Sequence, residues 1–250
     1  MAWLRVAVGR HDGLIQLAVA LGAFAAYEVG RTLIAPDWPL AMRHARGVAL
    51  LERSLHLAWE RPVQAAFLAD PAVVQALNVV YVVAHVAVTA VFFVWLYGRS
   101  RAAFCRFRNA FLVATTVALV LHWGFPTAPP RLAGIGLADT LRMLAGIDIG
   151  SPGSAGLSDP VAALPSLHAG FALGVGVGIV RYARAVGMRL VGAAYPGVIV
   201  LTVIVTGNHF VLDTVAGMAV MGLGFAVTDR RVATLVLRRG VEQSGSSPGS

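Results

Sequence analysis

The sequence predicts an all-α integral membrane protein, a bundle of six transmembrane helices with an interfacial amphipathic helix between spans one and two. Three observations indicate this fold class. Of the 250 residues, 58% are hydrophobic and only 13% are charged, and the mean hydropathy of +0.74 is too high for an ordinary soluble domain. The apolar residues gather in windows of membrane-spanning length. The arginines gather between those windows.

Six apolar windows lie near the roughly 17 to 25 residues that a helix needs to cross a bilayer. They cover residues 14–34, 73–97, 109–125, 165–180, 190–206 and 210–227. The last two are separated by a few residues only, which predicts a tight antiparallel hairpin. We expect one membrane domain over 1–239, followed by a disordered Ser/Gly-rich tail over 240–250.

The basic residues predict the orientation of the bundle. All twenty are arginine, and the formal net charge is +8. Because they flank apolar spans, membrane topology explains them more simply than nucleic-acid binding does. The positive-inside rule puts both termini in the cytoplasm and puts Arg131, His168 and His209 at the outer face. The bias toward Arg, Ala, Val and Gly is typical of a GC-rich genome, so we expect the plasma (inner) membrane of a bacterium.

Two long segments are predicted to lie outside the membrane core. Residues 36–71 contain four arginines balanced by four acidic residues, and apolar and charged positions alternate over 48–59 as in a helix lying in the interface. This segment is either a solvated cover over the site or a lid that contacts substrate. The loop over 126–164 is long and rich in Gly, Pro and Ser, which is typical of functional loops.

Polar side chains inside predicted spans need a partner or a function, because lipid does not solvate them. Glu28 and Arg31 are three residues apart on span one and can neutralise each other. Asn78, Tyr81 and His85 form one polar stripe on span two. The stripe either bonds to neighbouring helices or lines a substrate pocket.

Two histidines lie where predicted spans begin. His209 is followed four residues later by Asp213, on the same face of a helix. A carboxylate bonded to one imidazole nitrogen fixes the tautomer and leaves the other nitrogen free to attack. His168 could then protonate a leaving oxygen. Ser166, with the backbone N–H groups of a helix start, and Arg131 could hold a phosphate.

The strings around these histidines resemble the motifs of a known family. Residues 165–168 (PSLH) and 207–213 (GNHFVLD) look like the second and third motifs of the type 2 phosphatidic acid phosphatase (PAP2) superfamily. Residues 126–132, with the upstream patterns at 51–53 and 60–64, are similar to the branch that contains fungal inositol phosphorylceramide synthase and its bacterial relatives. The resemblance covers roughly residues 48–226.

The resemblance implies a six-helix bundle with a phosphohistidine intermediate and no metal or cofactor. It makes His209 the nucleophile, Asp213 the residue that orients it and His168 the general acid. Ser166 and Arg131 would bind the phosphate. The substrate would be a lipid phosphate in contact with membrane lipids, and water or an alcohol such as inositol would discharge the intermediate.

The chain departs from ordinary members of the family at several positions. They have a lysine where this chain has Gly124, a proline where it has Leu132, and Ser-Arg where it has Thr202-Val203. The two missing cations normally neutralise the phosphate. Their absence fits the inositol phosphotransferase-like branch and leaves more of the charge to Arg131.

Several alternatives stay open at this stage. Hydrolysis and transfer to an alcohol are evenly matched, and Tyr81, His85 and Asn208 are candidates for lining the pocket. A non-catalytic lipid transporter or assembly protein with the same bundle is a different class. A metal site built by His168, His209 and Asp213 has a thin ligand set, and the single Cys105 excludes a thiolate cluster.

Overall fold

The computed structural model describes residues 37–146 and 161–244, together with 12–13, 15–16, 18–20, 22–23, 25–27 and 29–30. The chain forms two compact units, Met1–Ala35 and Pro36–Ser250. The described residues of the first unit are helical. Much of the predicted first span, including Glu28 and Arg31, lies outside the described residues. The prediction of one domain over 1–239 stays a prediction.

The second unit is helical, and the described residues contain no strand, which confirms the all-α class. Its α-helices are α1 (Trp38–Ser54), α2 (Glu60–Leu68), α3 (Pro71–Val79), α4 (His85–Arg99), α5 (Arg101–Gly124), α6 (Thr140–Ala145), α7 (Leu167–Tyr182), α8 (Val186–Val205) and α9 (Val211–Ser244). A π-helical turn, Val80–Ala84, joins α3 to α4, and a 3-10 turn covers Pro130–Leu132.

Four helical stretches of the described chain are long and apolar enough to cross a membrane. They are Pro71–Arg99, Arg101–Gly124, Val186–Val205 and Val211–Asp229, and they correspond to predicted spans two, three, five and six. Helix α7, the predicted fourth span, has 16 residues and is shorter than the roughly 20 residues that a membrane-crossing helix needs. The six-span count therefore stays a prediction.

Side-chain caps set several helix starts. Asp37, Asp70, Ser100 and Ser166 each accept a hydrogen bond from a backbone N–H of the first turn, which satisfies donors that the helix leaves unpaired. The Ser100 cap explains why α5 begins eight residues before the predicted window: arginines near its start extend the helix beyond the apolar stretch.

The span-two stretch contains an irregularity in its middle. At the π-helical turn Val80–Ala84, the backbone N–H of His85 bonds to the carbonyl of Val80, five residues back. A turn of this kind holds one residue more than an α-helical turn and is frequent at functional sites. Tyr81 lies within it and His85 follows it directly.

Helix α7 is central to the second unit, packing against α4, α5, α8 and α9. Its glycines let neighbouring helices approach closely, as small residues do in membrane bundles. A Cβ on Gly170 would lie 2.6 Å from the carbonyl oxygen of Gly217, and a Cβ on Gly217 would collide with the carbonyl of Ser166. This crossing brings the start of α9 against the start of α7.

The outward faces of the long helices are apolar. On α4, for example, Val86 is 61% exposed, Val91 67% and Val94 74%. A hydrocarbon environment tolerates such a surface, because lipid tails solvate valine as readily as the protein core does. The exposed valines therefore agree with an integral membrane protein.

The segment predicted as an interfacial helix forms two helices, α1 and α2. Its location at a membrane interface stays a prediction. The predicted disordered tail begins inside α9: residues 240–244 are helical, and 245–250 lie outside the described residues. Residues 229–239 include Ala, Leu and Arg residues that favour helix, which allows α9 to continue past Gly240.

We predict that Gly217→Ala destabilises the protein by about 1–3 kcal/mol, because the added methyl overlaps the Ser166 carbonyl in a packed crossing. The control is Gly222→Ala on the same helix, where a Cβ meets nothing within 4 Å. Thermal unfolding in detergent should show a lower Tm for the first variant only. Equal Tm values for the two variants would contradict the close crossing.

Candidate active site

His209 lies in the short loop between α8 and α9. Gly207 in this loop has a φ of +70°, a left-handed conformation that glycine adopts at little cost. The side-chain amide of Asn208 donates to the hydroxyl oxygen of Thr206 at 2.8 Å, and Asn208 is only 3% exposed. Asn208, a candidate for the pocket, thus bonds within the loop and closes the turn that carries His209.

One imidazole nitrogen of His209 faces two oxygen atoms. Its Nδ1 lies 2.8 Å from the carbonyl oxygen of Ala163 and 3.5 Å from Oδ2 of Asp213. A carbonyl can only accept, so Nδ1 carries the proton in the neutral ring, and Nε2 keeps its lone pair. Asp213 therefore lies beside the expected nitrogen, but the backbone of Ala163 makes the shorter bond.

The carboxyl group of Asp213 also organises the backbone. Its Oδ2 accepts a hydrogen bond from the N–H of Phe210 at 2.9 Å, and the residue is fully buried. The carbonyl of Asp213 accepts from the N–H of Ser166 at 2.9 Å. Asp213 thus joins three features: the His209 loop, the first turn of α9 and the start of α7.

The environment of His209 favours its neutral form. Burial lowers the pKa of the His209 imidazole to about 4; the Arg131 charge contributes in the same direction, and the Ala163 carbonyl opposes the shift. At neutral pH the ring is uncharged, which is the state that a nitrogen nucleophile requires.

A pair of backbone bonds holds the Ala163 carbonyl. The N–H of Thr127 donates to the carbonyl of Val161 at 2.6 Å, and the N–H of Ala163 donates to the carbonyl of Thr127 at 3.0 Å. This bridge joins the two described parts of the loop over 126–164, on either side of residues 147–160. Sequence reasoning missed Ala163, because a backbone acceptor leaves no signal in residue type.

Ser166 and His168 lie together at the start of α7. The hydroxyl oxygen of Ser166 accepts from the N–H of Ala169 at 3.4 Å, so Ser166 caps the helix while its hydroxyl hydrogen remains available to donate. The ring centroids of His168 and His209 are 5.9 Å apart. The two histidines are therefore close enough to act on neighbouring atoms of one substrate.

Tyr81 and His85 from span two complete the surroundings of His168. The Tyr81 ring stacks on His168 at 4.5 Å between centroids, and the His85 ring lies 5.2 Å away. His85 Nδ1 lies 2.8 Å from the hydroxyl of Tyr195 on α8, a residue that sequence reasoning missed. Asn78 does not join this group: it exchanges hydrogen bonds with Thr140 at the start of α6. Within the predicted polar stripe, Asn78 therefore bonds to a neighbouring helix, whereas Tyr81 and His85 lie at the candidate site.

Arg131 lies against the His209 loop. Its backbone N–H donates to the carbonyl of Gly207 at 2.9 Å, and its Nε lies 3.3 Å from Oδ2 of Asp139. The side chain is 2% exposed, so its fixed charge acts through a medium that screens it weakly. The predicted phosphate ligand and the predicted nucleophile are therefore connected through one backbone hydrogen bond.

Gln64 on α2 connects this loop to the bundle, a role that the sequence analysis, which used Gln64 only within the pattern at 60–64, did not assign. Its amide nitrogen donates to the carbonyls of Ala138 and Val205, at 3.0 and 2.9 Å, and its oxygen accepts from the N–H of Ala138 at 2.8 Å. The side chain is 2% exposed. In sequence a lone glutamine carries no such information, because all its partners are distant main-chain atoms.

Within the described ranges, no three His, Cys, Asp or Glu side chains are arranged to hold a metal ion. The arrangement instead brings an uncharged imidazole nitrogen, a second imidazole, a hydroxyl and a buried guanidinium to one place. These groups suit the chemistry of a phosphate ester, which needs a nucleophile, a proton donor and a cation.

The family model described as the PAP2 superfamily matches residues 46–227, most of the chain. The chain belongs to the PAP2 superfamily. This confirms the resemblance, and membership indicates a phosphatase-type activity. The matched range contains every predicted site residue from Tyr81 to Asp213. No curated protein and no solved structure matches the chain, and the branch within the superfamily stays a prediction.

We predict that Gln64→Leu lowers the free energy of unfolding by about 1–3 kcal/mol, because it leaves the buried carbonyl of Val205 without its partner and removes two bonds to the partly buried main chain of Ala138. Gln75→Leu is the matched control, since its buried Oε1 has no hydrogen bond to lose. Chemical denaturation in detergent measures both. Similar destabilisation by the two variants would refute a special role for Gln64.

Proposed function

We propose that this protein is a metal-independent membrane phosphatase or phosphotransferase that cleaves a lipid phosphate ester through a phosphohistidine on His209. One observation carries the proposal: the Ala163 carbonyl binds Nδ1 of His209, which leaves the Nε2 lone pair for attack beside His168. Family membership supports the reaction class. The roles of the individual residues are part of the proposal.

In the first step, Nε2 of His209 attacks phosphorus while the bond from phosphorus to the lipid oxygen breaks. His168 gives a proton to that oxygen, so the lipid leaves as an alcohol. The Arg131 guanidinium offers paired N–H donors to the phosphoryl oxygens, and the Ser166 hydroxyl offers one more. As the phosphorylated ring becomes positively charged, Asp213 at 3.5 Å stabilises it.

In the second step, water or an alcohol attacks phosphorus and the bond to Nε2 breaks. His168, now neutral, takes the proton of the incoming nucleophile, which returns the enzyme to its starting state. Water releases inorganic phosphate, whereas an alcohol becomes a new phosphate ester. Tyr81 and His85 flank His168 and are candidates for the pocket that selects the acceptor.

The membrane setting is also part of the proposal: six spans, both termini in the cytoplasm, and the site at the outer face of a bacterial plasma membrane. The distribution of arginine supports it. The amphipathic α1 supports an interfacial location, since Leu50 is 63% and Leu51 50% exposed while Ala45 and Glu52 on the other face are buried. Exposed leucines of this kind suit the headgroup region.

A second candidate is an enzyme of the inositol phosphotransferase type, which would move a phospho-headgroup to a lipid alcohol. Three positions favour it. Thr202 and Val203 are buried, the Thr202 hydroxyl donates to the carbonyl of Val198, and Gly124 has open space around it. The usual Lys and Ser-Arg of the superfamily are thus replaced by residues that bring no cation.

We predict that His209→Ala abolishes turnover, because no other group in the scheme accepts the phosphoryl. Purified wild type and variant would be given phosphatidic acid, polyprenyl phosphates and pyrophosphates, and phosphatidylinositol with ceramide or diacylglycerol as acceptor. Phosphate release and lipid products are measured. His56→Asn is the control, because His56 is exposed and its φ of +57° suits asparagine.

The products separate the candidates. Free phosphate from wild type and from the His56→Asn control identifies a lipid phosphatase, and a new phospholipid without free phosphate identifies a transferase. Turnover that survives His209→Ala would refute the phosphohistidine scheme. No turnover of any substrate by wild type would favour a non-catalytic transporter or assembly protein.

We predict that Arg131→Lys lowers kcat/KM by about tenfold or more, because a point charge replaces a planar fork with paired donors. The decrease should lie between that of the control and the complete loss in His209→Ala. Arg142→Lys is the control, since Arg142 is exposed on α6. Equal activity of the two lysine variants would remove Arg131 from the phosphate site.

A further inference from the structure

Two glutamates from outside the apolar windows reach the start of the helix that follows His209. Glu60 Oε1 accepts a hydrogen bond from the N–H of Val211 at 2.9 Å. Glu52 Oε1 accepts one from the N–H of Leu212 at 2.7 Å. The exposed fractions are 1% for Glu52 and 3% for Glu60. We call this pair and its two bonds the carboxyl clamp.

The carboxyl clamp completes a set of three bonds at one helix start. The first N–H groups of a helix have no partner within it. Here Asp213 binds the N–H of Phe210, and the clamp binds the next two N–H groups. Asp213 is on the helix itself, whereas Glu52 is on α1 and Glu60 on α2. The orientation of the first turn of α9 therefore depends on two other helices.

The two clamp carboxyls also influence each other. Among the described residues Glu52 Oε2 is buried without a hydrogen-bond partner, and the neighbouring Glu60 carboxyl acts on the pKa of Glu52. Two carboxylates cannot bond to each other unless one is protonated. Burial first, and then hydrogen bonding to Glu60 and the charges of Glu60 and Asp213, raise the pKa of Glu52 to about 9 against the opposing N–H of Leu212. At neutral pH Glu52 is therefore the protonated member.

We propose that Glu52 and Glu60 are positioning residues: the carboxyl clamp fixes the first turn of α9, and through it the placement of Asp213 and His209. This inference rests on the function proposed above. Neither glutamate is assigned a chemical step. Both act through the backbone of residues 210–212, which directly follows His209.

The clamp needs an acceptor oxygen at the right distance, so two kinds of variant separate geometry from charge. Glutamine keeps the oxygen in place and removes the charge, and it resembles the protonated carboxyl of Glu52. Aspartate keeps the carboxyl and withdraws it by one methylene. If geometry decides, Glu52→Gln and Glu60→Gln should keep the amide protection of 210–212 and the activity, whereas Glu52→Asp and Glu60→Asp should lose both. A role based on negative charge expects the reverse.

Two measurements test the proposal on detergent-solubilised full-length protein. Hydrogen exchange reports the protection of the peptide amides of 210–212 without any need for turnover. Steady-state kinetics on the lipid phosphate that wild type turns over in the assay described above report kcat and KM separately. In Glu52→Asp and Glu60→Asp we expect faster exchange at these amides and a kcat about tenfold to a hundredfold lower, as for a misplaced catalytic group, with KM nearly unchanged.

The control variant is Asp70→Asn. Asp70 also binds two backbone N–H groups at a helix start, those of Ala72 and Val73, but it is exposed and belongs to α3. The Asp70→Asn variant should change neither the amide exchange of 210–212 nor kcat. Unchanged exchange at 210–212 in the aspartate variants overturns the clamp, and faster exchange with unchanged kcat overturns the positioning role. If exchange responds as expected while no variant or wild type shows turnover, the clamp stands and the proposed function fails.

The clamp also predicts how stability depends on pH. The folded-state pKa of Glu52 lies above the usual value of 4.5, so its contribution to stability is complete below pH 4.5 and decreases as pH rises toward about 9. Glu52→Gln removes this titration, because an amide does not ionise. Its Tm should therefore fall less than that of wild type over this range. If the Tm of the two proteins depends on pH in the same way, Glu52 is not the protonated residue that the clamp requires.

Discussion

The N–H groups at the start of the last long helix must find acceptors away from water, and the candidate site is built around how they do so. The three carboxyl groups that accept from Phe210, Val211 and Leu212 come from three different helices. A buried backbone donor left without an acceptor costs about 1–3 kcal/mol. Through these bonds α1 and α2 are connected to the start of α9.

Main-chain hydrogen bonds connect the remaining parts of the site. The Arg131 loop bonds to Gly207, the Thr127 bridge holds Ala163, and Ser166 bonds to Asp213. These contacts join loops that are far apart in sequence, and they use no residue-specific chemistry. Side chains at the site can therefore be substituted without removing these hydrogen bonds.

Sequence patterns report how residues are spaced along the chain, so they predict helices and contacts between residues that are close in sequence. Apolar windows located four membrane-length helices, and the four-residue interval correctly brought Asp213 beside His209. Glu52 and Glu60 were interpreted as balancing nearby arginines and, with Gln64, as parts of two short patterns, because the partners of all three are distant main-chain atoms. Tyr195 was missed because its partner, the His85 side chain, lies 110 residues away in the sequence. The predicted window over 165–180 and helix α7 have the same length, and the helix begins two residues later because Ser166 caps its start.

The bond between Ala163 and His209 illustrates a second limit. A carboxylate four residues after a histidine suggests a direct partner, but the nearer oxygen belongs to a residue whose side chain is a methyl group. Which acceptor lies closer depends on the path of two loops, and no short motif encodes that path.

The π-helical turn in span two has a consequence for how this region can change in length. It absorbs one residue more than a regular α-helical turn. Deleting one residue from 80–84 would therefore let the span return to α-helical geometry and leave the helices on its two sides nearly in their present orientation. Deleting one residue from the regular helix between His85 and Phe92 would instead rotate one side by about 100° and shift it by about 1.5 Å relative to the other. Tyr81 and His85 face His168, while Phe92 and Leu96 are packed in the core, so these contacts could not all survive. We therefore expect the span to tolerate a change of one residue in length at the turn and not in the helix that follows it.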